Sequence, residues 1–378
     1  MNCRTRSFVK LVISGGGTGG HVYPALAVAA ALQRQKPDSR IVWIGTGEGM
    51  EADLVPRAGL TFESIAASGL RGRNPLAAVR SAVRLGRGFW QSRRLLRRLR
   101  PDVLFVTGGY VCVPVTLAAR QMGIPVVIYL PDIEPGLAIK FLARFASRVA
   151  VTTPEAQTFF RPGLTVVTGY PVRPELETPP SEAVRAEARR RLGLTGDLPV
   201  LLVFGGSRGA RSINRALTAH LEPLLEVCQI VHVTGRLDEA WVLERRANLP
   251  ADRQARYRVS AYLHDEMPLA LQAADLVVSR AGASTLGEFP AVGLPAVLVP
   301  YPYAGAHQAR NADYLAKHGA AVVIQDNLLA QKLGETVLEL LNHPEKLSAM
   351  RRASQKLAVP GAALHLARLI QEVGTYAD

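Results

Sequence analysis

The feature that constrains this chain most is a pattern that occurs twice: an apolar run, a glycine cluster, a helix pattern and a further apolar run. The two openings are "LVISGGGTGGH" at residues 11–21 and "LLVFGGSRGAR" at residues 201–211. Buried-type strands that alternate with helices are typical of parallel α/β architecture. A stretch rich in proline and glutamate, residues 169–184, separates the two series and has the composition of a linker. The sequence therefore predicts two Rossmann-like domains, 1–172 and 173–359, whose parallel sheets face each other across a cleft.

Length and composition agree with two globular domains. The chain has 378 residues, of which 48% are hydrophobic and 20% charged. No apolar run approaches the ~18 residues of a transmembrane helix. Lys10 interrupts the first apolar run and no small-residue cleavage site follows, so we expect no signal peptide. The 3 cysteines are far apart, which fits a reducing cytoplasm and argues against a disulfide framework or a zinc site.

The net charge of +14 is unevenly distributed. Residues 71–100 contain ten arginines and no acid, with apolar residues interleaved at roughly helical spacing. Nucleic acid, an anionic membrane or a phosphorylated substrate would suit such a surface, and a merely solvated helix face is the plainer alternative. The absence of any compensating acid favours a patch that faces a membrane.

The first glycine cluster is suited to holding an anion. Gly15, Gly17 and Gly20 have the G-x-G-x-x-G spacing, which lets a backbone approach phosphate closely at the start of a helix. A tight turn without a ligand is the alternative. A dinucleotide site also needs an acid at the end of the next strand, but that strand ends in Gly-Thr-Gly and Glu48 comes too late. The sequence therefore favours a nucleotide other than NAD.

His21 follows this cluster at the predicted start of a helix. The helix N-terminus disfavours an imidazolium ion, so we expect a neutral histidine that can accept a proton. A histidine that only caps the helix is an equally good interpretation of the loop by itself.

The second half offers polar groups at three strand ends. Ser207 and Arg208 accompany the second glycine loop, and "SRAGASTLGE" at residues 279–288 forms a third loop. We predict that Glu288, one turn into the following helix, accepts the hydroxyls of a ribose whose phosphates the helix start holds. Ordinary placement of an acid in a first helical turn is the alternative.

Three polar residues follow the next predicted strand: His307, Gln308 and Asn311. They suit contacts to sugar hydroxyls, and ordinary loop or helix-cap positions are the alternative. The sequence contains no D-x-D and no H-E-x-x-H motif. We therefore expect no bound metal.

Taken together and in order, these segments resemble one family of the GT-B glycosyltransferase superfamily: the UDP-N-acetylglucosamine transferases of bacterial cell-wall synthesis. The resemblance spans nearly the whole chain and is carried by "GGGTGGH", "MEADLVPRAGL", "SGLRG", "GGYV", "GYPVR", "GGSRGAR", "SRAGASTLGE", "AVGLPAVLVPYP" and "HQARNA". It implies transfer of N-acetylglucosamine from UDP-N-acetylglucosamine to the muramyl 4-hydroxyl of lipid I, a polyprenyl-diphosphate-linked muramyl peptide, with inversion at the anomeric carbon. The product is lipid II, used for peptidoglycan.

The resemblance also implies site residues. In the first domain it assigns phosphate and acceptor contacts to Thr18, Gly19 and Gly20, and the role of candidate base to His21. In the second domain it assigns substrate contacts to Arg173, Ser207, His264 (through its backbone, to uracil), Ala283, Ser284, Thr285, Leu286, Gly287, Glu288 and Gln308. The family usually has His-Glu-Gln-Asn where this chain has Tyr129–Asp132, so the acceptor contacts differ here and Asp132 is a second candidate base.

The same resemblance implies no cofactor, no nucleic-acid partner, and a peripheral position on the cytoplasmic face of the bacterial cell membrane. It also implies that a helix at about residues 360–378 packs back on the first domain. Two alternatives remain open: another GT-B transferase, acting on a glycolipid or a natural product, or a basic membrane-binding or nucleic-acid-binding protein with a vestigial nucleotide fold.

Overall fold

The chain consists of two compact units. The computed structural model describes residues 8–67, 75–206, 209–303 and 307–375, with side chains in the long helix from Ser81 onward. One unit contains the chain up to Val172 together with the segment from Gly361 onward, and the other runs from Arg173 to Pro360.

The first unit is built on a seven-stranded sheet in the order β3-β2-β1-β4-β5-β6-β7, and every neighbouring pair is parallel. Its strands are β1 Lys10–Gly15, β2 Arg40–Gly45, β3 Thr61–Ser64, β4 Val103–Gly108, β5 Val126–Leu130, β6 Arg148–Val151 and β7 Thr165–Val167.

The second unit has a six-stranded parallel sheet in the order β10-β9-β8-β11-β12-β13. Its strands are β8 Val200–Phe204, β9 Gln229–Val233, β10 Tyr257–Ser260, β11 Leu276–Ser279, β12 Ala296–Leu298 and β13 Ala321–Val323. Both sheets are thus parallel, as the sequence predicts.

Helices connect the strands in both units. Those of the first unit, before its C-terminal segment, are α1 Gly19–Gln35, α2 Glu51–Arg57, α3 Pro75–Leu99, α4 Cys112–Gln121 and α5 Leu137–Leu142. Those of the second unit are α6 Glu182–Arg191, α7 Arg211–Ala219, α8 Leu221–Val227, α9 Glu239–Ala247, α10 Ala251–Ala255, α11 Met267–Ala273, α12 Glu288–Val292, α13 His307–Lys317, α14 Leu329–Leu341 and α15 Pro344–Lys356. Short 3₁₀ turns occur at Ala143–Phe145, Pro154–Phe159, Pro174–Leu176, His264–Glu266, Ala283–Leu286 and Asp326–Leu328. Within the described ranges, no helix combines the length and apolar character needed to cross a membrane.

The last helix, α16 (Ala362–Thr375), belongs to the first unit although it follows the second in sequence. It packs against α1. Leu366 and Ile370 are fully buried, and the Gln371 amide donates to Gln35 Oε1 at 2.8 Å. Complete burial of such aliphatic side chains contributes about 1.5–3 kcal/mol each, which fixes the end of the chain to the first sheet.

Each unit has its own apolar core, because helices cover both faces of a parallel sheet and its central strands are buried on both sides. All residues of β4 and β5 are buried. The apolar runs of the sequence do not predict four strands: β3, β7, β10 and β13. These strands form the edges of the two sheets. They are only 3 or 4 residues long and partly exposed, so their sequences lack a continuous apolar run.

The sheet orders locate the ligand-binding edge of each unit. β1 lies between β2 and β4, and β8 lies between β9 and β11, so successive connections leave these central strands in opposite directions. Ligands of such sheets bind outside the carboxyl ends of the strands at this switch point. The glycine clusters after β1, β4 and β8 and the "SRAG" loop after β11 all lie at these points.

Candidate functional site

The first glycine loop joins β1 to α1 and is held by close backbone approaches. Thr18 is the N-cap of α1 in an extended conformation, and Gly17 has φ +91°. Gly109, in the loop after β4, has φ +92°, and a Cβ atom there would lie 2.7 Å from the carbonyl oxygen of Gly16. Only glycine permits both this conformation and this contact, so the two switch-point loops lie directly against each other.

His21 lies in the first turn of α1, with its ring turned back toward the glycine loop. Its Nδ1 is 3.1 Å from the carbonyl oxygen of Gly16 and 3.3 Å from Thr18 Oγ1. A carbonyl oxygen can only accept, so Nδ1 carries the hydrogen and Nε2 has the lone pair. A Cβ atom at Gly108 would lie 2.9 Å from Nε2, so glycine leaves space beside this nitrogen. The arrangement gives His21 the tautomer that can accept a proton at Nε2.

Glu51 is a buried acid of this site that the sequence analysis did not single out. Its carboxylate accepts hydrogen bonds from Gly17 N at 3.0 Å, Thr46 N at 3.1 Å and Thr46 Oγ1 at 2.8 Å. A Cβ atom at Gly16 would lie 2.2 Å from its Oε1, and one at Gly49 would lie 2.0 Å from its Oε2. The signal in the sequence was an acid directly after the glycine-rich segment "GTGEG", within "MEADLVP".

Asp132 lies in the loop after β5, on the carboxyl edge of the same sheet and one strand beyond β4. Its side chain is half-buried. Tyr129 of the same "YLPD" segment is different, since its hydroxyl lies in the core, 2.9 Å from Thr152 Oγ1, and burial raises its pKa. In this segment Asp132 is therefore the group available for chemistry.

In the second unit, the glycine loop after β8 leads into α7. Gly209 has φ +72°, and a Cβ atom there would lie 2.4 Å from the carbonyl oxygen of Thr234. The sequence-predicted contacts Ser207 and Arg208 lie outside the described residues. The described flanks of the loop have the close backbone packing expected of a phosphate loop.

The "SRAG" loop after β11 is braced from inside by Arg280. This guanidinium donates to Asp326 Oδ1 at 2.5 Å and to Ser212 Oγ at 2.8 Å, and it lies over the Tyr301 ring at 5.2 Å. Asn311, fully buried, donates to the carbonyl oxygen of Ala281 at 3.1 Å. These two polar residues of the predicted site therefore have a supporting role here, holding the shape of the loop.

The segment after this loop differs from the single helix that the sequence predicts. Ala283–Leu286 forms a 3₁₀ turn, and Glu288 is the first residue of a separate helix, α12, with Gly287 as its N-cap. The prediction that Glu288 lies one turn into a helix was therefore wrong. The cause is Gly287, whose ψ of −53° at φ −122° breaks the helical path.

Glu288 is buried beside Arg173, a pairing that the sequence analysis did not anticipate. Arg173 Nη2 lies 3.3 Å from Glu288 Oε1, and both side chains are largely buried. Burial raises the pKa of Glu288, and the neighbouring guanidinium acts in the opposite direction. The pair presents a carboxylate and a guanidinium side by side, which suits a ribose and a phosphate.

The other members of the predicted segment contribute mainly backbone. Thr285 and Leu286 are buried, with Thr285 Oγ1 donating to the carbonyl oxygen of Gly282 at 2.7 Å, while Ser284 is half-buried. The first N–H groups of a helical turn have no acceptor within the turn, so the start of this one, at Ala283, is the part of the segment suited to an anion.

His264 and Gln308 follow the ends of β10 and β12. His264 has φ +43°, a left-handed conformation that is uncommon for a residue with a side chain, and its ring packs on Tyr262 at 4.5 Å. Such backbone strain costs on the order of 1 kcal/mol and often occurs where a backbone group contacts a ligand. Gln308 accepts from Tyr301 N at 2.8 Å, so its amide NH₂ is the group suited to donate to a sugar oxygen.

A buried polar network beneath the second glycine loop was also missed. His232 Nδ1 lies 2.7 Å from the Tyr257 hydroxyl, and its Nε2 lies 3.0 Å from Asn214 Oδ1. Asn214 donates in turn to Thr234 O and to Asp238 Oδ2, both at 2.9 Å. The network fixes α7 against β9 and the start of β10. Burial lowers the pKa of His232 to about 3.

Among the residues that the structure describes, no three His, Cys, Asp or Glu side chains are grouped as ligands of a metal ion would be. Two parallel α/β units, each with glycine loops at its switch point, are the architecture of the GT-B fold, in which many glycosyltransferases are built.

Comparison with protein families narrows this class. The model described as "Glycosyltransferase family 28 N-terminal domain" matches residues 11–151, and that described as "Glycosyltransferase family 28 C-terminal domain" matches residues 200–366. A relative from Roseiflexus sp. (strain RS-1) is 46% identical over 94% of this chain and 93% of its own length. Another, from Desulforudis audaxviator, is 45% identical over 97% and 98%. Both are named UDP-N-acetylglucosamine--N-acetylmuramyl-(pentapeptide) pyrophosphoryl-undecaprenol N-acetylglucosamine transferase.

A comparison with solved structures supports the same family. MurG from Acinetobacter baumannii superposes with a TM-score of 0.74 at 30% identity, covering 96% of this chain and 99% of that one. The UDP complex of MnaA from S. aureus has a TM-score of 0.69 at 13% identity, covering 94% of each chain, and shares the fold alone. The chain belongs to glycosyltransferase family 28, in its MurG branch, and is a hexosyltransferase.

Because His232 is buried, we predict that the free energy of unfolding falls in acid. Its pKa falls from 6.5 to about 3 on burial, so below pH 6.5 the unfolded chain binds a proton that the folded chain does not. The stability that neutral His232 gives is complete above pH 6.5 and is lost as the pH falls toward 3, with a slope of at most about 1.4 kcal/mol per pH unit. Urea unfolding at pH 7.5, 6 and 4.5 measures it. His232→Gln should flatten the dependence and His365→Gln, at an exposed position, should not; equal slopes in wild type and His232→Gln would contradict the prediction.

Proposed function

We propose that this protein transfers N-acetylglucosamine from UDP-N-acetylglucosamine to the muramyl 4-hydroxyl of a polyprenyl-diphosphate-linked muramyl peptide, inverting the anomeric carbon. The names of its full-length relatives support both substrates. The observation that carries the proposal is the Arg173–Glu288 pair at the carboxyl edge of the second sheet, directly beyond the loop after β11.

The second unit is the proposed donor domain. Glu288, as a carboxylate, accepts hydrogen bonds from the ribose hydroxyls, and Arg173 lies next to it for the diphosphate. The backbone N–H groups at the start of the turn after β11, at Ala283, contact the phosphates in this proposal. Ser207 is assigned to the same phosphates from its place in the sequence alone, since it lies outside the described residues. The strained backbone of His264 is placed for the uracil, and the Gln308 amide for the transferred sugar.

The first unit is the proposed acceptor domain, with Thr18, Gly19 and Gly20 near the acceptor and the phosphates. His21 Nε2 takes the proton of the acceptor hydroxyl as that oxygen attacks C1 of the sugar from the face opposite UDP. Negative charge gathers on the leaving diphosphate, and fixed N–H groups and Arg173 stabilise it without a metal ion. Asp132 stands on the same sheet edge as a contact to the acceptor and as the second candidate base.

Removing the carboxylate charge from Glu288 tests the donor assignment. In Glu288→Gln, one carboxylate oxygen is replaced by an NH₂ group that cannot accept from ribose or from Arg173, so we expect the KM for UDP-N-acetylglucosamine to rise about 10-fold or more. Steady-state kinetics and calorimetric titration with UDP measure the effect. Glu339→Gln, at an exposed carboxylate of α14 in the same unit, is the control. Unchanged donor affinity in Glu288→Gln would show that Glu288 only begins a helix.

We further propose that α3 attaches the protein to the cytoplasmic face of the cell membrane. Val83 and Trp90 are 59% and 63% exposed. Arg87 and Arg94 are exposed at helical spacing from them, on the same side of α3. A helix that shows basic and apolar groups together suits the interface of an anionic bilayer.

The opposite face of α3 packs into the first unit. Gly88, Ser92 and Leu96 are buried at intervals of four, and α3 packs on α4. Leu96 is one of the apolar residues interleaved with the arginines, and because it is completely buried it does not belong to the membrane face. Arg71 and Arg73 lie outside the described residues.

The membrane face has its own test. Each basic residue near an anionic surface contributes about 1 kcal/mol, so Arg87→Glu with Arg94→Glu should weaken binding to phosphatidylglycerol-rich vesicles more than 10-fold, and salt should weaken wild-type binding. Vesicle sedimentation measures it. The control is Arg191→Glu with Arg245→Glu, the same change of charge at exposed positions of the second unit. If the α3 variant binds vesicles like wild type, or if the control loses binding equally, the assignment is wrong.

A further inference from the structure

One peptide group in the first unit is hydrogen-bonded at both ends to groups of the site. The N–H of Gly17 donates to Glu51 Oε2 at 3.0 Å, and the carbonyl oxygen of Gly16 lies 3.1 Å from His21 Nδ1. These two atoms belong to the same planar peptide unit between Gly16 and Gly17. A carboxylate, a peptide and an imidazole therefore form one continuous hydrogen-bonded chain.

The carboxylate at the start of this chain is buried. Glu51 is 1% exposed, and its described donors, Gly17 N, Thr46 N and Thr46 Oγ1, are neutral. A buried charge with neutral partners is weakly screened, and hydrogen bonds in series polarise one another. The Gly16 carbonyl is thereby made a stronger acceptor for the Nδ1 hydrogen of His21.

We propose that Glu51 is a positioning residue that acts on His21 through the Gly16–Gly17 peptide. It holds the tautomer with the hydrogen on Nδ1 and stabilises the imidazolium that forms when Nε2 accepts a proton. The inference rests on the proposed role of His21 as base.

The protons balance without passing through the peptide. The acceptor hydroxyl proton moves to Nε2, Nδ1 keeps its own hydrogen, and no proton is transferred to Glu51. The arrangement performs the task of a carboxylate that orients a histidine directly, with a backbone group inserted between the two.

The chief alternative is that Glu51 only braces the glycine loop, since Gly16, Gly45 and Gly49 all lie against its side chain. A brace would affect folding and substrate binding, and its loss would cost the same with or without His21. A residue that acts through His21 would affect kcat, and only when His21 is present. A double-mutant cycle separates the two.

The test combines Glu51→Gln with His21→Asn. Glutamine has the shape of the native side chain but turns an NH₂ toward one of the donors. We expect kcat to fall about 10- to 100-fold, with the KM for UDP-N-acetylglucosamine changed less than 2-fold, and no further fall when Glu51→Gln is added to His21→Asn. Asp102→Asn is the control, because Asp102 accepts from Lys10 N at 2.8 Å, away from this loop; its kcat should be that of wild type.

The outcomes distinguish the two hypotheses. If His21→Asn keeps full activity, the role of His21 as base is wrong and the catalytic part of this inference falls with it. If His21→Asn is impaired but Glu51→Gln is not, His21 remains the proposed base, and the proposal that Glu51 acts through it is wrong. If Glu51→Gln lowers kcat by the same factor in the wild-type protein and in His21→Asn, Glu51 only braces the loop. That result also contradicts the proposal that it acts through His21.

The tautomer of His21 can be measured in the wild-type protein, so this test does not depend on the folding of a Glu51 variant. Long-range ¹H–¹⁵N NMR at pH 8, assigned by the signal lost in His21→Asn, should show His21 with its hydrogen on Nδ1. Where Glu51→Gln folds, the tautomers should become mixed. A wild-type His21 with its hydrogen on Nε2 would overturn the inference.

Discussion

In both units, a glycine loop at the end of a central strand passes so close to the loop of a neighbouring strand that no Cβ atom fits between them. Gly109 lies against the carbonyl of Gly16, and Gly209 lies against that of Thr234, each in a left-handed conformation. These approaches direct backbone N–H and C=O groups to defined positions at the strand ends. The orientation of His21 and the path of the chain into α1 and α7 depend on them.

The two units use the same loop design for different chemistry. In the first unit, the buried Glu51 carboxylate accepts a hydrogen bond from the N–H of Gly17. The carbonyl group of the same peptide contacts the imidazole of His21, so the loop connects the two side chains. In the second, the acid beyond the loop after β11 is Glu288, and it is paired with Arg173. The first arrangement suits proton transfer, and the second suits a nucleotide diphosphate. The proposed transferase needs one of each.

Much of the central architecture could be predicted from the sequence, because central strands of parallel sheets are continuous apolar runs and their ends are marked by glycine. The edge strands β3, β7, β10 and β13 could not, since partly exposed strands of 3 or 4 residues carry no such run. Glu51 and the His232 network were missed for a different reason. Their roles come from partners distant in sequence, such as Gly17 for Glu51 and Tyr257 for His232, and no local pattern encodes these contacts.

The central claim, transfer of N-acetylglucosamine with inversion, is tested most directly by incubating the full chain with radiolabelled UDP-N-acetylglucosamine and a short-chain lipid I and determining the product by NMR. The account predicts release of UDP and a β-linked disaccharide on the lipid carrier. Hydrolysis or epimerisation of the nucleotide sugar without transfer, or transfer with retention of the anomeric configuration, would contradict it.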